Sequence, residues 1–323
     1  MRQPTCAPMD GLMDLHLHLD GSLPLETVRA LAQRQGVALP EGDALRQSLR
    51  VSPHCASLND YLTHFELPKA LLQTPEALAQ GTRELAQSLP AQGVVYAEIR
   101  FAPQLHMRGG LSQKEAVDAV ALGFRESGLP GGLILCCMRG ADNERENVET
   151  LRVAKRALGA GVLAIDLAGA EAVYPTRAFT RLFDEAREAG LPYTIHAGEA
   201  DGPESVRAAI ELGARRIGHG VRAARDKSLT RLLAQSGIPL ELCLTSNLDT
   251  LAVESIDAFP LRALLDAGVR VTLNTDNMTV SDTSMRREWQ RATEAFALTE
   301  DEIQTIRQNA ANAAFGVADP SIM

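Results

Sequence analysis

Short apolar runs recur along the chain, separated by longer stretches in which apolar residues fall at helical spacing. A repeated strand-and-helix unit gives this rhythm. Eight runs read as strands: 12–17, 94–101, 133–138, 162–167, 193–196, 216–219, 240–244 and 269–274. Between them, 114–127, 147–158, 176–189, 203–212, 229–236 and 261–267 read as amphipathic helices, several of them followed by a glycine such as Gly128 or Gly213, where a left-handed C-cap is common. Eight strands alternating with helices predict an α/β fold of the closed (β/α)8 TIM-barrel type, with residues 1–323 forming one domain.

The first connection differs from the others. Roughly seventy residues separate the first run from the second, far more than one crossover helix needs, so extra helices are inserted after the first strand. Within this insertion Leu58, Tyr61, Leu62 and Phe65 fall at helical spacing. A helix packed on the barrel wall and a substrate lid both fit that pattern. The tail over 299–315 reads as a closing helix.

At 323 residues, 45% of them hydrophobic, the chain can bury a core of barrel size. The net charge of -9 is spread along the sequence without a basic block, which argues against nucleic acid and anionic membranes as partners. No stretch has the apolar length of a membrane span, and the N-terminus lacks the pattern of a secretion signal, so a cytoplasmic protein is expected. Five cysteines, Cys6, Cys55, Cys136, Cys137 and Cys243, are odd in number and irregular in spacing. They read as reduced thiols, with Cys136, Cys137 and Cys243 serving as small buried hydrophobes.

Only seven histidines occur, yet four fall in or just after predicted strands. His16 and His18 are two apart on the first strand, so their side chains share a face. His196 ends the fifth run, His219 ends the sixth, and Asp276 follows the eighth. In a parallel barrel the C-terminal strand ends face one pocket, so these residues converge. Imidazoles with a carboxylate suit zinc and leave room for a water whose pKa the ion lowers toward neutrality. The end of the fourth strand reads AIDLAGAE, without the lysine that bridges two ions in many barrel hydrolases, so one zinc per chain is expected. No Gly-x-Ser-x-Gly elbow or phosphate-binding glycine loop competes with this reading.

The motifs HLHLDGS at 16–22, DLAGAE at 166–171, HAGE at 196–199, RIGHG at 216–220, TSN at 245–247 and NTDN at 274–277 occur in this order across nearly the whole chain. Together they resemble the adenosine deaminase family, as does the stretch GVVYAEIRFAP at 93–103. The resemblance implies that His16, His18, His196 and Asp276 hold the zinc, with Glu199 and His219 carrying out the proton work. It further implies that the backbone N–H of Gly169 meets purine N3 and the carboxylate of Asp20 meets a ribose 5′-hydroxyl, although Asp20 also reads as a helix N-cap. Where many members of the family have TDDP, this chain has TDNM. Asn277 therefore stands where a protonated Asp would donate to N7, a role its amide N–H fills at any pH.

The activity so implied is hydrolytic deamination of a small-molecule 6-aminopurine nucleoside, foremost adenosine and 2′-deoxyadenosine. Other readings are a deaminase of aminodeoxyfutalosine or another 5′-modified adenosine, an adenine deaminase, and an inactive binding protein on the same scaffold. Retention of Glu199 and His219 argues against the last, since binding alone needs neither.

Overall fold

Eight parallel strands form along the eight apolar runs: β1 (Leu12–His18), β2 (Val94–Phe101), β3 (Gly131–Met138), β4 (Val162–Ala168), β5 (Thr194–Ala197), β6 (Arg216–His219), β7 (Leu240–Leu242) and β8 (Val271–Leu273). The computed structural model describes residues 10–316 apart from 53, 54 and 56, so Cys6 lies outside the described residues. β1 to β4 pair in chain order as one sheet, and β5 to β8 as a second. Two parallel bridges, Ile165 with Tyr193 and Leu17 with Asp276, join the sheets into a ring. At the second junction Asp276 N–H donates to His16 O at 2.8 Å and His18 N–H donates to Asp276 O at 2.7 Å. The TIM-barrel expectation holds.

Strand alternation divides the side chains by environment. Ala97, Ile99 and Phe101 of β2 and Ile165 and Leu167 of β4 join the main apolar core around the barrel. Glu98, Arg100, Asp166, Thr194, Arg216, Glu241 and Thr272 take the intervening positions and are fully buried. They form a polar column inside the ring, below the C-terminal strand ends.

Some boundaries differ from the sequence pattern. The run 240–244 predicts a longer strand, but β7 ends at Leu242 and the helix Leu244–Asp249 begins just beyond. Leu244 is buried in that helix, so its apolarity reports burial and not extended backbone. The stretch 176–189 opens as a 3₁₀ turn, Thr176–Phe179, before the helix Thr180–Glu188. A further helix, Met285–Phe296, is hidden in the sequence by its charged residues, although Met285, Trp289 and Ala292 form a buried stripe and Ser284 caps the Arg287 N–H.

The insertion after β1 is helical. Its main helices are Leu25–Gln35, Asp43–Leu49, Leu58–Tyr61, Glu66–Leu71 and Pro75–Ser88. Thr74 caps the last of these, with a proline in its first turn. The closing helix Glu300–Ala313 starts with a reciprocal capping box between Thr299 and Glu302. Cys55, Cys136, Cys137 and Cys243 are free and buried, in keeping with reduced thiols. Among the described residues no helix is long and apolar enough to cross a membrane.

Candidate active site

The C-terminal ends of the strands open into a cavity lined by eight of the nine site residues named from the sequence: His18, Asp20, Gly169, His196, Glu199, His219, Asp276 and Asn277. The ninth, His16, is fully buried beside them, its ring centroid 4.6 Å from that of His196 and 4.7 Å from that of His219. Leu58, Tyr61, Leu62 and Phe65 of the insertion form part of the apolar wall. The short helical segment thus faces the cavity, and Tyr61 Oη lies 2.8 Å from Ser281 Oγ in the loop after β8. Leu105, Met138 and Ala168 complete the apolar side. Asp20 does not cap the following helix, whose N-cap is Pro24.

Several donor atoms converge at the cavity floor. His18 Nε2 is 3.2 Å from His196 Nε2. Asp276 Oδ1 is 3.5 Å from Nε2 of both His16 and His18. With metal–ligand bonds of 2.0–2.1 Å, two ligands of a tetrahedral ion sit roughly 3.3 Å apart, so these separations fit one small cation. His16 Nε2 is buried with no hydrogen-bond partner, as a ligand nitrogen awaiting an ion would be. Burial, reinforced by Arg100 and His196, pushes His16 down to about 4, which keeps that lone pair free. Two further groupings bring donor atoms within 4.8 Å of one another: His16, His196 and His219, and His16, Cys243 and Asp276. Cys243 is a poor ligand there, because burial raises its pKa and its thiol donates to Glu241 O at 3.5 Å.

Behind two of the floor imidazoles, those of His16 and His196, stand carboxylates of the polar column. His16 Nδ1 is 2.7 Å from Glu241 Oε2, and His196 Nδ1 is 2.8 Å from Asp166 Oδ2. A carboxylate behind the ring fixes its orientation and raises its basicity. Arg100 bridges both carboxylates, 2.8 Å to Asp166 and 2.9 Å to Glu241, while Arg216 joins Glu241 to Glu98 at 2.6 Å each. Burial alone would raise Asp166, but His196 and Arg100 hold it well below the usual carboxylate range. Glu98, Arg100, Asp166 and Arg216 fall within the quoted motifs and Glu241 outside them, yet nothing in their spacing reveals this supporting role. Their signal in the sequence is a charged side chain inside an otherwise apolar strand.

Glu199 follows β5 in a loop fixed by Glu171, whose Oε2 accepts the backbone N–H groups of Glu199 at 3.0 Å, Ala200 at 2.7 Å and Asp201 at 3.0 Å. Its Oε1 accepts Gly198 N–H at 2.6 Å and the Ser205 hydroxyl at 2.5 Å. Glu171 sits in the DLAGAE motif, yet nothing in its spacing reveals this anchoring role. Burial pushes the Glu199 carboxyl up, and nearby Asp276 adds to the shift against the opposing effect of His219. That shift favours the protonated form.

His219 and Asp276 both have left-handed backbone, at φ 60° and 61°. Such strain gathers at functional sites when surrounding bonds hold it in place. Here Ser246 Oγ donates to Asp276 Oδ2 at 2.5 Å and Asn247 Nδ2 lies 2.9 Å from His219 Nδ1. The left-handed backbone at His219 explains how its side chain reaches the cavity, since regular alternation along β6 would place it on the side of Ile217. Asn277 is fitted against Gly21, where a Cβ would come within 1.8 Å of Asn277 Oδ1 and 2.8 Å of Phe65 Cε1. Only glycine permits that approach. On the far side of the cavity burial raises Asp20 to about 6, opposed by the positive charge of Lys69.

The adenosine deaminase family model matches residues 12–321. The chain is 48% identical to an adenosine deaminase of Haemophilus ducreyi, covering 94% of this chain and 92% of that one. Its fold is similar to that of an adenine deaminase from Arthrobacter aurescens, with a TM-score of 0.84 and 27% identity over 97% of this chain and 95% of the other. It is similar also to an N6-methyl-AMP deaminase from Arabidopsis thaliana, with a TM-score of 0.81 and 27% identity over 96% and 93% of the two chains. With a family model matching residues 12–321 and a relative 48% identical over 94% of the chain, the chain belongs to the adenosine deaminase family.

Proposed function

We propose that this protein hydrolyses adenosine and 2′-deoxyadenosine to the corresponding inosines and ammonia, using one zinc ion per chain. The observation that carries the reading is the convergence of His16, His18, His196 and Asp276 beside a Glu199 whose burial favours its protonated form. Nitrogen and oxygen donors at these separations suit zinc, with the four residues as its ligands. The ion, when bound, supplies an activated water near neutral pH.

The chain's own residues do the rest. Gly169 offers its backbone N–H to purine N3, and its φ of 107° explains why glycine occupies this turn. Asn277 donates its amide N–H to N7. Glu199 delivers a proton to N1 as oxygen attacks C6, which spares the ring a localised negative charge. His219 orients the attacking oxygen. Ammonia then departs from C6, where the new oxygen remains.

Asp20 selects the substrate at the other end. A buried carboxylate accepts a hydrogen bond from a free 5′-hydroxyl and repels a 5′-phosphate, which separates this site from one serving a nucleotide. The same residue disfavours 5′-thioethers and bulkier 5′ groups, which offer it no donor. Adenine, lacking the ribose, forgoes this contact altogether.

A substrate panel tests the reading, with adenosine, 2′-deoxyadenosine, adenine, methylthioadenosine, aminodeoxyfutalosine and AMP compared by kcat/KM through ultraviolet change and ammonia release. Adenosine and 2′-deoxyadenosine should lead. A higher value for adenine, AMP or either 5′-modified nucleoside would replace the substrate assignment.

A further inference from the structure

The contact between Asn247 and His219 says more than that the ring is held. Asn247 is fully buried and His219 is 1% exposed, so bulk water does not compete for the 2.9 Å approach of Asn247 Nδ2 to His219 Nδ1. An amide nitrogen carries hydrogens and no accepting lone pair, so it donates. With the amide so turned, which leaves Asn247 Oδ1 buried without a partner and spares the costlier unpaired donor, Nδ1 accepts and the single ring hydrogen of a neutral imidazole resides on Nε2. That nitrogen lies 3.6 Å from Glu199 Oε2.

Asn247 is itself built into a rigid support. Its backbone N–H donates to Cys243 O at 2.9 Å, and its backbone carbonyl accepts Val253 N–H at 3.0 Å. Two residues earlier, Thr245 donates its backbone N–H to Glu288 Oε2 at 3.1 Å and its hydroxyl to Glu288 Oε1. Ser246 between them holds Asp276. Three consecutive side chains thus reach a buttress, a floor carboxylate and a cavity imidazole. This gives the TSN segment a physical reason that spacing alone does not supply.

We infer that Asn247 is a positioning residue that fixes His219 as its Nε2–H tautomer, so that His219 meets the attacking oxygen as a hydrogen-bond donor and not as its base. The role in attack rests on the deaminase reading, whereas the tautomer rests on the buried contact alone.

Long-range 1H–15N NMR of histidine-labelled, metal-loaded protein at mildly alkaline pH tests it, with the His219 ring assigned by its loss in His219→Gln. Wild type should show Nε2 protonated and Nδ1 bare. In Asn247→Asp the carboxylate can only accept, so the hydrogen should move to Nδ1, with kcat on adenosine reduced about 10–100-fold, KM little changed and metal content intact. Asn247→Leu, which removes the donor, should release the preference for one tautomer. A protonated Nδ1 in wild type would overturn the inference, as would a wild-type ring pattern in either variant. If adenosine is not turned over, the tautomer signal still reports, so failure of the substrate assignment is told apart from failure of this one.

Discussion

The Nε2 atoms of His18 and His196 lie 3.2 Å apart across the barrel floor, although 178 residues separate them in the chain. Unless one donates to the other, two such nitrogens stay this close only by turning lone pairs toward a shared positive centre. Asp276 at 3.5 Å from His18 and from His16 adds the charge that makes the centre a cation.

One divalent ion per chain should therefore copurify with activity. The end of β4 offers Ala168, followed by Gly169, and no bridging lysine for a second ion. Elemental analysis should return about one equivalent of zinc, and His196→Ala should lose metal and turnover together. Two equivalents in a fully active preparation would reject the mononuclear site.

The sequence made most of this floor legible, because histidines are rare enough that four at strand ends stand out. A parallel barrel then does the geometric work, bringing distant strand ends to one face. Asp166, Glu241 and Arg100 show no comparable signal of their role. Buried charges inside strands announce burial only after pairing partners are known, and each partner lies on a different strand. Glu171 was likewise opaque, since its ligands are backbone N–H groups that any sequence supplies. The helix Met285–Phe296 shows the same limit in the fold, for its stripe of three buried residues is outnumbered by charged neighbours.

Glu199 separates proton transfer from metal binding. It is placed by Glu171 and not by the floor donors, with its own oxygen 3.6 Å from His219 Nε2. Glu199→Gln preserves size and loop anchoring but cannot release a proton. The variant should keep its metal while kcat falls roughly 10²–10⁴-fold, with a smaller change in substrate affinity. Loss of metal together with activity would make Glu199 a ligand, and unchanged turnover would remove it from the mechanism.

The proposed recognition of N7 by Asn277 can be tested directly, for the Oδ1 of that residue is buried against Gly21 without a donor of its own. If the amide nitrogen serves N7, replacing N7 by carbon leaves a buried donor unpaired, at a cost of about 1–3 kcal/mol in transition-state binding. The 7-deaza analogue of adenosine should accordingly show kcat/KM lower by roughly 5- to 150-fold. Equal kcat/KM for analogue and parent would show that Asn277 does not read N7.

Acid sensitivity of the fold should trace in part to His106, which lies outside the site residues named above. The ring is fully buried after β2, with Nδ1 2.9 Å from Leu72 O and Nε2 without a partner. Burial, aided by Lys69 and Arg108 and opposed by the Leu72 carbonyl, lowers its pKa from 6.5 to about 4. The folded protein thus resists a proton that the unfolded chain accepts. Stability from this group is fully present above pH 6.5, drains away as pH falls toward 4, and levels off below. The shift corresponds to about 3 kcal/mol. His106→Gln keeps an N–H donor for Leu72 but cannot titrate, so denaturant unfolding of both proteins across this range should show their stability difference moving by about that amount in favour of the variant in acid. Because the two share every floor histidine, loss of metal in acid affects both alike. A difference that stays constant with pH would mean that His106 titrates normally in the folded state.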